Sequence, residues 1–148
     1  MSKSERSLPL RIVLVKPPAG VAFWLQRGRD ERIAVVRSTG EDLAFDLDVR
    51  VGDPLPDGRP NLLGPFTQGP REARFFYVGS WLAPGGEAPG WNRRAKVPLF
   101  GISWERIEET LATPGAVLEG RIQGTSRDGG PVCASIPLLD GGWRVIRP

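Results

Sequence analysis

Apolar and polar residues alternate in several short stretches of this chain, a pattern typical of β-strands with one buried face. The clearest stretch has apolar side chains at every second position: Phe45, Leu47, Val49 and Val51. Further strands are predicted over 10–15, 21–26, 33–37, 74–82, 94–100, 116–124, 131–138 and 143–146. Gly/Pro-rich turns separate most of them, and 52–65 and 83–90 are expected to be loops.

One helix is predicted, at about 103–113. Ser103 is suited to cap its first turn, because a serine oxygen can accept a hydrogen bond from a free backbone N–H group. Ile102 and Ile107 have the spacing of a hydrophobic staple around that cap. Pro114 ends the helix, because the residue before a proline resists the α conformation.

These elements indicate a mainly β fold in a chain of 148 residues. We expect an antiparallel β-sandwich or a small barrel, with the helix covering one end. Residues 1–8 are predicted to be a flexible polar lead, and 9–148 a single globular domain.

Composition removes several chemistries. The chain has no histidine, which excludes Ser-His-Asp and Cys-His catalysis and the usual zinc motifs. The single Cys133 has no intrachain partner and is interpreted as a small core residue. No run approaches the roughly 20 apolar residues that would span a bilayer. We predict no catalytic residue, metal or cofactor, and a soluble cytoplasmic bacterial protein without membrane association.

The segment 64–96, called here the basic-aromatic segment, differs from the rest of the chain. It has five basic and two acidic residues, so its net charge equals the +3 of the whole chain. It also contains half of the aromatic residues. Guanidinium groups bind anions and aromatic rings form flat apolar walls. The ligand-binding residues predicted from this pattern are Gln68, Arg74, Tyr77, Trp91, Arg93, Arg94 and Lys96.

The resulting hypothesis is a non-enzymatic binding domain for a small anionic or aromatic ligand, or for an acidic segment of a partner protein. One alternative is a single-stranded nucleic-acid binder that uses the same segment. Another is a histidine-independent enzyme that uses Asp46 and Asp48, or Lys96. The two aspartates share a strand face about 7 Å apart, but alternation alone already explains them. The cations of the basic-aromatic segment could equally pair with internal carboxylates and serve the fold alone.

Distinctive short motifs are spread along nearly the whole chain. They are Pro17-Pro18-Ala19-Gly20, Leu25-Gln26-Arg27-Gly28, Gln68-Gly69-Pro70, Arg74-Phe75-Phe76-Tyr77, Arg93-Arg94 with Lys96, and Gly129-Gly130-Pro131 with Cys133. In these motifs the chain resembles small bacterial proteins of domain-of-unknown-function family 5990 (DUF5990). The resemblance implies that the motifs belong to one domain, and it carries no activity or site assignment.

Overall fold

The computed structural model describes residues 6–27, 31–64, 75–81, 92–99 and 101–148. In chain order the elements are β1 (Arg6–Val15), β2 (Ala22–Arg27), β3 (Glu31–Arg37), β4 (Leu43–Val51), β5 (Leu62–Gly64), β6 (Phe75–Trp81), β7 (Asn92–Pro98), α1 (Trp104–Ala112), β8 (Val117–Gln123), β9 (Ala134–Ser135) and β10 (Arg144–Ile146). Sheet I has the strand order β10-β8-β1-β4-β5, and sheet II has the order β3-β2-β6-β7-β9.

The two sheets share one hydrophobic core. Leu10 and Ile12 of β1 are at most 1% exposed and belong to the same cluster as Phe23 of β2 and Val78 of β6. Each sheet is an open series of strands, so of the two predicted architectures the described residues form the sandwich. The prediction of a mainly β fold with one helix is confirmed for the described residues.

Strand β4 shows how the sequence pattern produces a sheet face. Phe45 and Val49 are buried, whereas Asp46 and Asp48 are exposed. Because side chains alternate across a strand, the aspartates project from sheet I away from the core.

Helix α1 begins where its cap predicts. Ser103 is the N-cap, and its hydroxyl accepts a hydrogen bond from the backbone N–H of Arg106. Ile102 and Ile107 are 3% and 0% exposed and join the core, as the staple requires. The helix contacts β1, β8 and β10, so it covers the end of sheet I at which β1 and β8 begin. In the described part of the chain, no helix has the length and apolar character needed to cross a membrane.

Sheet connectivity departs from a wholly antiparallel arrangement at two pairs. Strand β1 pairs in parallel with β8, and β7 pairs in parallel with β9. After β8 the chain turns back in a short hairpin over 124–132, in which Val132 donates a backbone hydrogen bond to Gly124. The returning arm then leaves sheet I and adds β9 to the edge of sheet II. The strands predicted over 116–124 and 131–138 therefore lie antiparallel to each other only next to this turn.

Two element boundaries also differ from the prediction. Strand β1 begins at Arg6, inside the expected flexible lead, because Leu8 pairs with Val49 and is fully buried. Strand β5 lies within the loop expected at 52–65, where it adds a short edge to β4.

Candidate functional site: the outer face of sheet II

Strand register brings together residues that are far apart in sequence. In one row across sheet II, Gln26 of β2 lies beside Tyr77 of β6, which lies beside Lys96 of β7. In the next row Trp24, Gly79 and Arg94 are neighbours in the same way.

These two rows point away from the core. Phe76 and Val97 are paired in register, are almost fully buried and belong to the core cluster. Because side chains alternate along each strand, the neighbouring pair Tyr77 and Lys96 projects from the opposite face. Arg32 of β3, which pairs with Gln26, extends the row. We call this surface the basic face and define it as Trp24, Gln26, Arg32, Tyr77, Gly79, Arg94 and Lys96.

The cationic part of the basic face is at Arg94 and Lys96. Their Cα atoms are two strand positions apart, which corresponds to about 6.5–7 Å. The Lys96 ammonium is 6.0 Å from the centre of the Tyr77 ring, at the outer limit of a cation–π contact. Arg94 is exposed, and no described residue forms an ion pair or hydrogen bond with its side chain. The face therefore presents two cations beside one aromatic wall.

Trp24 is the packed floor of the basic face. It is 2% exposed, although it projects from the side of β2 opposite the core residue Phe23. Its ring lies over the backbone of Gly79, where any Cβ atom would overlap the indole. The Arg32 guanidinium is 4.2 Å from the ring centre, and the indole N–H donates a 3.1 Å hydrogen bond to Gln26 Oε1. These contacts hold the indole rigidly against the sheet.

Arg93 projects from the other side of β7, where its guanidinium forms hydrogen bonds within the fold. Its guanidinium donates to both carboxylate oxygens of Asp128, at 3.2 and 2.6 Å, and to the Pro131 carbonyl at 3.0 Å. It also donates to the Ser126 hydroxyl, which in turn hydrogen-bonds Asp128. These bonds tie the 124–132 hairpin to sheet II.

The hydrogen bonds that join Arg93 to Asp128 and Ser126, called here the clamp, also determine the charge states of Arg93 and Asp128. The bonds from Arg93, Ser126 and the Gly130 backbone N–H hold the pKa of Asp128 well below its usual range. The bond to Asp128 raises the pKa of Arg93. The pair stays charged at neutral pH, so the forked donors of Arg93 are engaged within the fold.

The remaining predicted residues divide into two groups. Gln68, Arg74 and Trp91 lie outside the described residues. Tyr77, Arg94 and Lys96 come together on the basic face. Trp24 and Arg32 were not singled out from the sequence, because only the pairing of β2 with β3 and β6 places them on this surface.

The aspartates considered for catalysis lie on sheet I. Asp46 accepts a 2.7 Å hydrogen bond from Arg11 and is exposed, as is Asp48. Across the described ranges, no three Cys, Asp or Glu side chains are grouped so that they could hold a metal ion. The arrangement at Asp46 is that of a surface ion pair.

A family model matches nearly the whole chain. The model of the family of unknown function DUF5990 matches residues 8–146. The chain belongs to DUF5990. No curated protein and no solved structure matches it. The resemblance noted in the sequence is thus confirmed, and the DUF5990 match spans every strand from β2 to β10 and nearly all of β1.

Proposed function

We propose that this DUF5990 protein is a binding domain that holds a small anionic ligand on the basic face. One observation carries the proposal: Arg94 and Lys96 project from the same face as Tyr77, and no described carboxylate neutralises Arg94. The exposed guanidinium of Arg94 attracts an anion, and Lys96 adds a second positive charge on the same face. A bound ligand would provide the anion that pairs with Arg94.

The side chains indicate the chemistry of the ligand. The Arg94 guanidinium offers forked donors that match a carboxylate or phosphate, and Lys96 adds a compact positive charge. Tyr77 provides a flat apolar surface beside them. A ligand with an anionic group next to a planar or apolar part fits this combination best. Trp24, being buried, supports the face from beneath and does not contact the ligand.

The experiment compares two double variants that remove equal charge. Arg94→Gln with Lys96→Gln removes the paired cations of the basic face. Arg127→Gln with Arg144→Gln removes two exposed arginines outside sheet II. Binding of inorganic phosphate, phenyl phosphate, benzoate and a short oligonucleotide is measured by calorimetry, and melting temperature is measured in parallel.

We expect the first variant to lose binding with an unchanged melting temperature, and the control variant to retain binding. If no anion in the panel binds the wild-type protein, or if both variants lose binding equally, the proposal is wrong. A steep fall of oligonucleotide affinity with salt, without binding of the small anions, would instead favour the single-stranded nucleic-acid alternative.

The proposal includes a bacterial cytoplasmic setting. Seventeen of the 20 basic residues are arginines, as is common in chains from GC-rich bacterial genomes. Its single cysteine, Cys133, is a free thiol, which suits a reducing compartment. Fractionation of cells that produce the protein with its native termini tests this setting.

A further inference from the structure

The four edges of the two sheets are unequal. The edge strands β5, β9 and β10 have three, two and three residues, whereas β3, also at an edge, has seven. Very short edge strands are one way in which proteins prevent unwanted pairing. Among the strands that the structure describes, β3 is the only long open edge.

Strand β3 is also the place where large apolar side chains reach the solvent. Val35 is 57% exposed and Val36 is 39% exposed, and within the described ranges every other large apolar side chain is less exposed than these two. Exposed apolar residues on an unpaired edge mark an interaction surface when they occur together.

Backbone groups at the end of β3 face the open side. Ser38 donates its backbone N–H to Val21 and accepts a hydrogen bond from the N–H of Gly20, so both of its backbone groups face β2. In an antiparallel pair, successive residues direct these groups to opposite sides. The N–H and C=O of Arg37 therefore face away from β2, where an added strand could pair with them.

Charge selects the kind of strand that could be added. Arg32 and Arg37 are both exposed and occupy outer-face positions on either side of the valines. No acidic residue lies between them in the sequence. A second copy of β3 is a poor partner, because pairing its full length with matching faces sets Arg32 opposite Arg37.

A bulge further restricts the pairing. Register shifts between Phe23 and Leu25, so Ala34 and Val35 together oppose Trp24. Ala34 adopts a φ of +55°, the left-handed region that a non-glycine residue occupies at a cost. Bulges of this kind limit pairing with flat strands, and they leave the stretch from Val35 to Arg37 as the accessible part of the edge.

We propose that the β3 edge binds an extended acidic peptide as an additional strand. Backbone hydrogen bonds to Arg37 give register, and alternate carboxylates of the peptide pair with Arg32 and Arg37 on the outer side of the strand. The intervening apolar side chains of the peptide lie on the opposite side, where they cover Val36. This surface is the edge of sheet II, and its occupancy does not depend on a ligand at Arg94 and Lys96.

The test uses three short peptides and the full-length protein. In the first peptide glutamate alternates with valine, in the second lysine replaces glutamate, and the third is the first with a central proline. Binding is measured by calorimetry at low salt, and amide chemical-shift changes locate the contact. We expect binding of the first peptide alone, with the largest shifts on β3.

Two variants at one exposed position make the test sharper. Val35→Glu should weaken binding of the acidic peptide at least about tenfold, because it places a like charge at the contact. Val35→Lys, equally polar, should retain binding or increase it, and melting curves confirm that both variants fold. Equal binding of the first two peptides, no binding, unchanged affinity for Val35→Glu, or a wild-type dimer that pairs through β3 would each overturn the proposal. Because Arg94→Gln with Lys96→Gln leaves the edge intact, that variant should bind the peptide normally even where small-anion binding is lost.

Discussion

The outer faces of the two sheets differ in how positive and negative side chains are arranged. On sheet I, Arg11 lies in register between Asp46 of β4 and Glu119 of β8. Its guanidinium nitrogens are 2.7 Å from an Asp46 carboxylate oxygen and 3.9 Å from a Glu119 carboxylate oxygen. Arg144 of β10 pairs with Glu119 on the other side. The charges therefore alternate from strand to strand, and each cation has an acid beside it. We call this row the ion-pair face. On the basic face of sheet II, the described charges are all positive.

The composition of the strands shows the same contrast. The strands of sheet II contain the basic residues Arg27, Arg32, Arg37, Arg93, Arg94 and Lys96, against the single acidic residue Glu31. Charges of alternating sign pair with each other, whereas a surface whose charges share one sign attracts ions of the opposite sign. This contrast supports the proposal that the anion binds on sheet II rather than on sheet I.

The largest expected effect concerns the floor of the basic face. Trp24→Ala should lower the free energy of unfolding by about 3–5 kcal/mol, because a large buried ring leaves a cavity. Chemical denaturation measures the loss, and Trp24→Phe, which keeps a ring, should lose less. A loss below about 1 kcal/mol for the alanine variant would show that the outer side of sheet II is not packed there.

The central acid of the ion-pair face should matter next. The Glu119 side chain is 10% exposed and lies within 4.0 Å of both Arg11 and Arg121. Glu119→Gln keeps the shape and removes the charge, so two cations lose their shared partner. We expect a loss of about 1–3 kcal/mol in the free energy of unfolding. The same stability as the wild type would mean that this face does not depend on charge balance.

Adjacent arginines of β7 should behave differently. Arg93→Gln breaks the bonds to the 124–132 hairpin and should cost about 1–3 kcal/mol. Arg94→Gln should change stability by less than about 0.5 kcal/mol, as expected for an exposed residue without a partner in the described chain. Urea denaturation of the two single variants compares them directly, and a larger cost at Arg94 would reverse the assignment of the two faces.

The clamp at Asp128 also predicts a dependence on pH. Its pKa is lower in the folded protein than the ordinary value near 3.9, mainly because Arg93 donates to it. The folded state therefore binds fewer protons, so this contribution is present at neutral pH and is lost as pH falls below about 4. The wild type should exceed Asp128→Asn in stability at pH 7, and the difference should shrink on acidification. A difference that stays constant down to pH 2 would contradict the clamp.

The smallest effect is expected at the rim of the ion-pair face. Asp46→Asn removes a pair in which the carboxylate is 64% exposed, so the cost should remain within about 1 kcal/mol. Added salt should reduce that difference further, because exposed charges are screened. If Asp46→Asn lowered the free energy of unfolding as much as Glu119→Gln does, the charges of this row would have to act cooperatively.

Local signals accounted for the elements that the sequence predicted well. The alternation from Phe45 to Val51 and the cap at Ser103 depend on residues a few positions apart, and the structure confirms both. The sequence pattern grouped Arg93 with Arg94 as ligand-binding residues, whereas in the structure the two neighbours point to opposite faces of β7.

Long-range pairing accounted for what the sequence could not supply. Asp128 lies 35 positions after Arg93, and no local pattern joins them. The parallel pairing of β1 with β8 and the crossing of β9 to sheet II depend equally on distant strands. In the sequence Trp24 is one apolar residue of a strand, and nothing nearby in the chain indicates that its ring packs on the backbone of Gly79.

The position of β1 has a consequence for how the chain reaches its fold. Of the described strands β1 is synthesised before the others, yet it lies in the middle of sheet I, and its partner β8 begins about a hundred residues later. Such pairing raises the contact order, which slows folding. Until β8 emerges, β1 has one side without a partner and its apolar residues are open to aggregation. Sheet I can therefore be completed only after β8 and β10 have been synthesised.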